Sequence, residues 1–257
     1  MTKQKPLILV TNDDGYQAKG IKALTNSLKG LGEIVVVAPD GPRSGMSSAI
    51  TSLYPIRIHL LQEETDLKIY SCTGTPVDCI KLAVSEVLDR KPDLVVTGIN
   101  HGSNASVAVL YSGTMGAAME GCVFKIPSIG FSLLDHSMNA DFSTSEKITR
   151  LLSEKVLAEG LPKGTCLNVN IPNTKDLKGI KICRQTSGNW TNEFQKSKDG
   201  SYKDVYWLTG EFANDEPNDE NTDEHVLARG YVSVVPVKID MTDHNYISTI
   251  KSWESLI

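Results

Sequence analysis

The chain has 257 residues, of which 40% are hydrophobic and 22% are charged, and its formal net charge is −5. This length can bury a sizeable core, and the composition is that of an ordinary globular protein. The absence of a basic stripe argues against binding to a long nucleic-acid duplex. No apolar run approaches the ~20 residues that cross a bilayer, so we expect no membrane partner.

Cysteine usage and the N-terminus bear on the cellular compartment. Five cysteines are spread through the chain without a Cys-x-x-Cys pair. An odd number at such spacings argues against a disulfide framework and against a zinc site. The six residues before the first apolar run are too few for a secretory signal. Together these features predict a reducing compartment, most simply the cytoplasm.

The first two thirds of the chain alternate apolar strands with helical patterns. The predicted strands are 5–11, 33–38, 56–60, 68–72, 92–99, 127–133 and 165–171, and the predicted helices follow Asp14 and Pro76 and cover about 113–124 and 143–158. Segments 56–60 and 68–72 are expected to pair as a hairpin or at an edge. Continuous apolar strands are typical of parallel sheets, so the alternation predicts an α/β fold with a doubly wound sheet.

The sequence changes in character from about Gln185. Six aromatic side chains lie between residues 190 and 212, on either side of a predicted turn at 198–201, and 202–209 has strand propensity. This predicts a β-hairpin arm that cannot form its own core. We expect the arm to mediate oligomerisation, the alternative being that it packs on its own body. A solvated acidic stretch, a helix ending near Arg229, a strand at 231–237 and a final helix at 245–256 are predicted to follow.

Two adjacent carboxylates end the first strand. The apolar run 5–11 leads directly into Asn12, Asp13, Asp14 and Gly15, and open α/β sheets bind ligands at this edge. Neighbouring acids repel each other unless a cation or a shared proton neutralises them, and the cation best suited is a hard one such as Mg²⁺, Mn²⁺ or Ca²⁺. The alternative is that these residues only form a turn.

Loops after other predicted strands supply further oxygen ligands. Ser44 lies in the loop after strand 33–38, and Asn100 directly follows strand 92–99. If these strands are parallel neighbours of the first, their ends meet at one edge of the sheet. Asp13, Asp14, Ser44 and Asn100 would then offer two carboxylates, a hydroxyl and an amide carbonyl. So few ligands leave metal positions for water and a phosphate.

The residues Ser112, Gly113 and Thr114 precede a helix of small residues. Hydroxyls and free amides at a helix N-terminus form an anion site, although plain N-capping explains the same residues. For Asn104, the alternative to an anion contact is a simple loop amide. His101 is either a solvated loop residue or a peripheral substrate contact. The chain contains no G-x-S-x-G elbow and no P-loop.

Taken together, these segments resemble the SurE family of 5′/3′-nucleotidases. The resemblance spans nearly the whole chain in the same order. The matching stretches are LVTNDDG (9–15), VAPD (37–40), RSG (43–45), TGTPVDC (73–79), GINHGSN (98–104), YSGT (111–114), NVNIP (168–172), YWL (206–208) and GYVSV (230–234). His101 and Ser103 stand where the family often has Arg and Pro, which leaves the substrate preference open.

The resemblance implies an organisation and a set of site residues. A Rossmann-like catalytic domain would cover residues 1–184, and a swapped hairpin arm with the C-terminal strand and helix would cover 185–257 and build homodimers or homotetramers. One divalent metal ion per subunit (Mg²⁺, Mn²⁺ or Ca²⁺) would bind the four oxygen ligands named above. Phosphate contacts would fall on Asn104, Ser112, Gly113 and Thr114.

The implied reaction is metal-dependent hydrolysis of nucleoside 5′- and 3′-monophosphates to nucleoside and phosphate, with short polyphosphate as a further substrate. Asp13 is the slightly favoured general base, and covalent catalysis through Ser112 is a weaker alternative. A haloacid-dehalogenase-like enzyme would need Asp-x-Asp, whereas the acids here are adjacent. A glycosyltransferase-like enzyme and a catalytically idle metal- and nucleotide-binding module are the remaining alternatives.

Overall fold

The computed structural model describes residues 4–137, 139–198 and 204–256. The strands are β1 (Leu7–Thr11), β2 (Glu33–Pro39), β3 (Ile58–Glu64), β4 (Leu67–Cys72), β5 (Leu94–His101), β6 (Ser128–Leu133), β7 (Thr165–Ile171), β8 (Ile180–Ile182), β9 (Gly188–Thr191), β10 (Phe194–Lys196), β11 (Tyr206–Leu208), β12 (Glu211–Asn214) and β13 (Val232–Lys238). The helices are α1 (Lys19–Leu28), α2 (Pro76–Leu82), α3 (Gly113–Val123), α4 (Ser143–Glu159), α5 (Asp223–Ala228) and α6 (Ile247–Ile250). No helix among these residues is both long and apolar enough to span a membrane.

Nine strands form one mostly parallel sheet, in the order β3-β4-β2-β1-β5-β6-β7-β13-β8. The six consecutive strands β4, β2, β1, β5, β6 and β7 are parallel to one another. Strand β3 pairs antiparallel with β4 at one edge, as the hairpin pattern predicts. Near the other edge, β13 pairs antiparallel with β7. The predicted α/β fold with a Rossmann-like, mostly parallel sheet is therefore confirmed.

Strand β1 lies inside the sheet, and both of its faces are covered by helices. Ile8 and Val10 belong to the apolar cluster that includes Leu24 of α1. Leu7 and Leu9 belong to a second cluster, which includes Ile80 of α2. Successive side chains of a strand point to opposite faces, so an uninterrupted apolar run is what two helical layers require.

The strand order reverses at β1. The chain leaves β1 for β2 on one side, whereas β5 pairs with β1 on the other side, with Val10 opposite both Val36 and Val96. Loops that leave neighbouring strands in opposite directions open a crevice at the carboxyl ends of those strands. The residues after Thr11 and at the end of β5 border this crevice, which is where the site predicted from the sequence lies.

The aromatic arm is a long hairpin with two antiparallel ladders. Strands β9 and β12 pair at its base, and β10 and β11 pair further out. The predicted strand 202–209 is observed as β11, although residues 199–203, with most of the predicted turn, lie outside the described residues.

The C-terminal segment differs in part from the prediction. Strand β13 enters the main sheet, close to the predicted 231–237. The predicted final helix at 245–256 is shorter, with one α-turn followed by a 3₁₀ segment at Lys251–Ser255, and neither contains a buried residue. A short helix without a packing face has little to stabilise it. The division at residue 184 stays a prediction.

Candidate active site

The loop after β1 is a turn that leaves two carboxylates for other use. The amide of Asn12 donates to the Gly15 carbonyl at 3.0 Å and accepts from the Gly15 N–H at 3.2 Å. Gly15 has a φ of +95°, which disfavours any residue with a side chain. The turn therefore depends on Asn12 and Gly15, whereas the side chains of Asp13 and Asp14 take no part in it.

The Asp13 carboxylate is buried at the start of α3. Asp13 is only 4% exposed, and the Thr114 hydroxyl donates to its Oδ1 at 2.6 Å. The pKa of Asp13 is raised to about 6, mainly by burial and also by the neighbouring Asp14, with the Thr114 hydrogen bond opposing the shift. A β-carbon on Gly113 would lie 2.9 Å from Asp13 Cβ, so glycine is needed for this close approach.

Asp14 lies between the ends of β1 and β5. The backbone N–H of His101 donates to Asp14 Oδ2 at 3.4 Å. Burial raises the pKa of Asp14 too, with the His101 hydrogen bond opposing the shift. Among the described residues, no salt bridge reaches either aspartate. The two carboxylates thus form an acidic site whose repulsion a bound cation would relieve.

Neutral oxygen donors lie beside this pair. Asn100 donates through Nδ2 to the Gly102 carbonyl at 3.0 Å, which leaves its Oδ1 available as a ligand. Ser44 is exposed and lines the same cavity as Asp13 and Asn100. The described residues hold no cluster of three or more His, Cys, Asp and Glu side chains suited to a metal. A cation here would therefore depend on two carboxylates and on neutral oxygens, a set that suits Mg²⁺-like ions.

The residues at the N-terminus of α3 divide into two roles. Ser112 caps the helix, since its Oγ accepts from the Met115 N–H at 3.0 Å, and it also lines the cavity. Gly113 and Thr114 are buried behind Asp13 and do not appear among the cavity-lining residues. Of the four predicted phosphate contacts, Asn104 and Ser112 therefore face the cavity, whereas the Thr114 hydroxyl is directed to Asp13.

A buried network of polar side chains holds Asn104. Its N–H donates to Asn170 Oδ1 and its carbonyl accepts from Asn168 Nδ2, both at 2.8 Å. Its own Nδ2 donates to the Ser132 hydroxyl at 2.7 Å. Sequence reasoning used Asn168 and Asn170 only as part of a matching stretch and missed this role, although their alternation along β7 was a usable signal.

Three of the four predicted metal ligands, Asp13, Ser44 and Asn100, border one open cavity of about 640 Å³, whereas Asp14 is not among its lining residues. Its lining residues from the main body include Asp13, Ser44, Asn100, His101, Asn104, Tyr111 and Ser112. The hairpin arm of the same chain contributes Trp190, Glu193, Leu208 and Thr209. The location of His101 is compatible with the substrate contact considered from the sequence, whereas the contribution of the arm was not foreseen.

Comparison with known proteins identifies the family of the chain. The sequence model of the family described as Survival protein SurE matches residues 8–192. The chain belongs to the SurE family. The crystal structure of the SurE protein from Aquifex aeolicus superposes with a TM-score of 0.83 at 40% identity, covering 97% of this chain and 100% of that one.

Two relatives illustrate how closely SurE sequences match this chain. A protein named 5′-nucleotidase SurE from Phocaeicola vulgatus is 54% identical over 253 residues, covering 98% of each chain. One of the same name from Bacteroides fragilis is 52% identical over 254 residues, covering 99% of this chain and 100% of its own. The family resemblance inferred from the sequence is thereby confirmed.

Proposed function

We propose that this SurE-family chain hydrolyses nucleoside 5′- and 3′-monophosphates to nucleoside and phosphate in a metal-dependent reaction, with short polyphosphate as a further substrate. Nearly full-length identity of about half to proteins named 5′-nucleotidase SurE makes the chain a 5′-nucleotidase. The observation that carries the metal dependence is the pair of adjacent carboxylates, the buried Asp13 and the half-buried Asp14, at the point where the strand order reverses.

The donor set fits one divalent cation per subunit, Mg²⁺, Mn²⁺ or Ca²⁺. Asp13, Asp14, Ser44 and Asn100 offer only hard oxygen donors, and the Asp13 oxygen not bonded to Thr114 remains available. When bound, the cation would polarise the phosphoryl group and lower the pKa of a water molecule.

Asp13 is the proposed general base. Its side chain lines the same cavity as the phosphate-contact candidates Asn104 and Ser112, where a base must reach the attacking water. Thr114 fixes one carboxylate oxygen by its hydrogen bond, and the two lone pairs of the other oxygen are left for the cation and for the proton of the attacking water. We therefore assign the Thr114 hydroxyl to the positioning of Asp13 and not to the phosphate.

Asn104, Ser112 and the backbone N–H of Gly113 are the proposed phosphate contacts. Asn104 has a second amide hydrogen besides the one given to Ser132. Ser112 accepts from Met115, so its own proton is free to donate to a phosphoryl oxygen. These donors would stabilise the charge that develops on the equatorial oxygens. The hydrogen bond at Ser112 Oγ comes from a backbone N–H and not from a base, so a covalent step at Ser112 is not favoured.

The arm supports a homodimer or homotetramer. Phe194, Tyr206 and Trp207 are each more than half exposed in the single chain, which is costly for aromatic side chains on one arm. Light scattering tests this proposal. A measured mass of 28.0 kDa, which is the mass of one chain, would contradict it. The five cysteines are free thiols, which supports the reducing cytoplasm as the location.

Phosphate release from a nucleotide panel tests the reaction. The 5′- and 3′-monophosphates of each base and tripolyphosphate are incubated with the protein in Mn²⁺, in Mg²⁺ and in EDTA. We expect release from nucleotides with metal and loss of at least about 100-fold in EDTA, reversed by added Mn²⁺. Full release in EDTA would contradict the metal dependence, and nucleotide binding without release would favour an idle binding module.

A further inference from the structure

The hairpin arm forms one wall of the cavity that contains Asp13. Trp190 of β9 and Leu208 of β11 line this wall, together with Glu193 and Thr209. The rest of the lining comes from the main body and holds the Asp13 carboxylate, the polar donors Asn104 and Ser112, and Tyr111. The main body therefore contributes polar groups suited to a phosphate, and the arm contributes aromatic and aliphatic surface.

The base of the arm is held against the active-site loops by a buried carboxylate. Asp223 is only 1% exposed and accepts from the Ser106 N–H at 2.8 Å and from the Thr186 hydroxyl at 2.6 Å. Ser106 follows Asn104 by two residues, and Thr186 precedes β9 by two. The position of the arm wall relative to the polar groups of the main body is thus set by direct hydrogen bonds.

Trp190 is supported within the arm and remains open to the cavity. Its ring meets Phe212 edge-on, with centroids 5.9 Å apart and an interplanar angle of 64°. The residue is still 36% exposed, so surface of the indole remains for a ligand. A planar heteroaromatic ring is the group that gains most from such a surface, because every nucleobase can stack on it.

Glu193 gives the wall a polarity. The Glu193 carboxylate repels a phosphate, whereas the cation proposed at Asp13 and Asp14 would attract one, and Asn104 and Ser112 offer hydrogen-bond donors for its oxygens. A nucleotide would therefore lie with its phosphate toward Asp13 and its base toward the arm. The volume of about 640 Å³ lies in the range of small-ligand sites, about 300–1,000 Å³.

We propose that Trp190 forms the nucleobase subsite of this enzyme, so that the arm, through stacking, gives nucleotides their advantage over phosphate esters that lack a base. This inference rests on the proposed function, whose site it extends. Trp190 would be a specificity residue that acts mainly on substrate binding and takes no part in the transfer of the phosphoryl group.

The test compares AMP and GMP with ribose 5-phosphate, which carries the same ester without a base. For Trp190→Ala we expect kcat/KM for both nucleotides to fall about ten-fold, mainly through KM, while ribose 5-phosphate changes less than about two-fold. Trp253→Ala is the control, since Trp253 lies outside the arm, is 61% exposed and does not line the cavity. It should leave the ratio of nucleotide to ribose 5-phosphate unchanged.

Trp190→Phe guards against a loss of folding, because it keeps an aromatic ring beside Phe212. This variant should lose only a few-fold in kcat/KM for nucleotides, and AMP should quench tryptophan fluorescence in the wild type more than in the variant. An unchanged ratio in Trp190→Ala, or an equal loss on all three esters, would overturn the subsite. If the wild type released phosphate from none of the esters, the proposed function itself would fail, a result distinct from either.

Discussion

Replacing Asp13 by asparagine should lower kcat/KM for nucleoside monophosphates by about 10³-fold in saturating Mn²⁺. The substitution keeps the shape of the side chain and an oxygen for the Thr114 hydroxyl. It removes the negative charge proposed to bind the cation and the group proposed to take the proton. Initial rates of phosphate release measure the effect.

The control is Asp89→Asn, the same chemical change at an exposed position, which should leave kcat/KM unchanged. If Asp13→Asn retained full activity with saturating Mn²⁺, neither proposed role of Asp13 would stand.

The Asp13→Asn substitution should stabilise the metal-free protein. The pKa of Asp13 is raised from its ordinary value of 3.8 to about 6, so between these values the folded state binds more protons than the unfolded state. Stability then falls as the pH rises through this window, and at pH 7 the wild type lacks about 3 kcal/mol that a neutral residue would keep. Urea denaturation of the wild type and the variant from pH 4 to pH 8 measures the difference. Curves that stay parallel over this range would contradict the assignment of a raised pKa.

A second large effect is expected at Asp223. Its carboxylate also accepts from the backbone N–H groups of Thr186 and Glu224, in addition to the bonds that hold Ser106 and the Thr186 hydroxyl. Asp223→Ala leaves the Ser106 N–H and the N–H and hydroxyl of Thr186 without this acceptor, which we expect to cost about 3 kcal/mol or more of the free energy of unfolding. Chemical denaturation measures this, and kcat/KM for AMP should also fall because the arm wall is no longer held.

An exposed acid on the same segment provides the comparison. Asp219 pairs with Arg184 at the surface, so Asp219→Asn should cost less than about 1 kcal/mol. Equal stabilities of the Asp223→Ala and Asp219→Asn variants would show that the buried network does not fix the base of the arm.

Much of the sheet could be predicted from sequence because buried parallel strands have a simple signature. Strands such as β1 and β2 contain continuous apolar runs, and their ends could be read to within two residues. The convergence of Asp13, Ser44 and Asn100 on one cavity could also be predicted, because neighbouring parallel strands bring their carboxyl ends together.

What could not be predicted depends on which elements become neighbours. The bond between Thr114 and Asp13 joins residues 101 positions apart, and the sequence alone suggested a phosphate contact for Thr114. The arm was expected to face a partner, yet Trp190 borders the cavity of its own chain. The final helix has a helical pattern but no surface to pack against within the chain, so propensity overestimated its length.

The most direct measurement is the location of Mn²⁺ by anomalous scattering from a crystal of the protein. The proposed site predicts one strong peak per subunit within about 2.0–2.6 Å of carboxylate oxygens of both Asp13 and Asp14, close to Asn100 and Ser44. A peak elsewhere, or no peak from a crystal whose protein releases phosphate in Mn²⁺, would contradict a metal centre at this edge of the sheet.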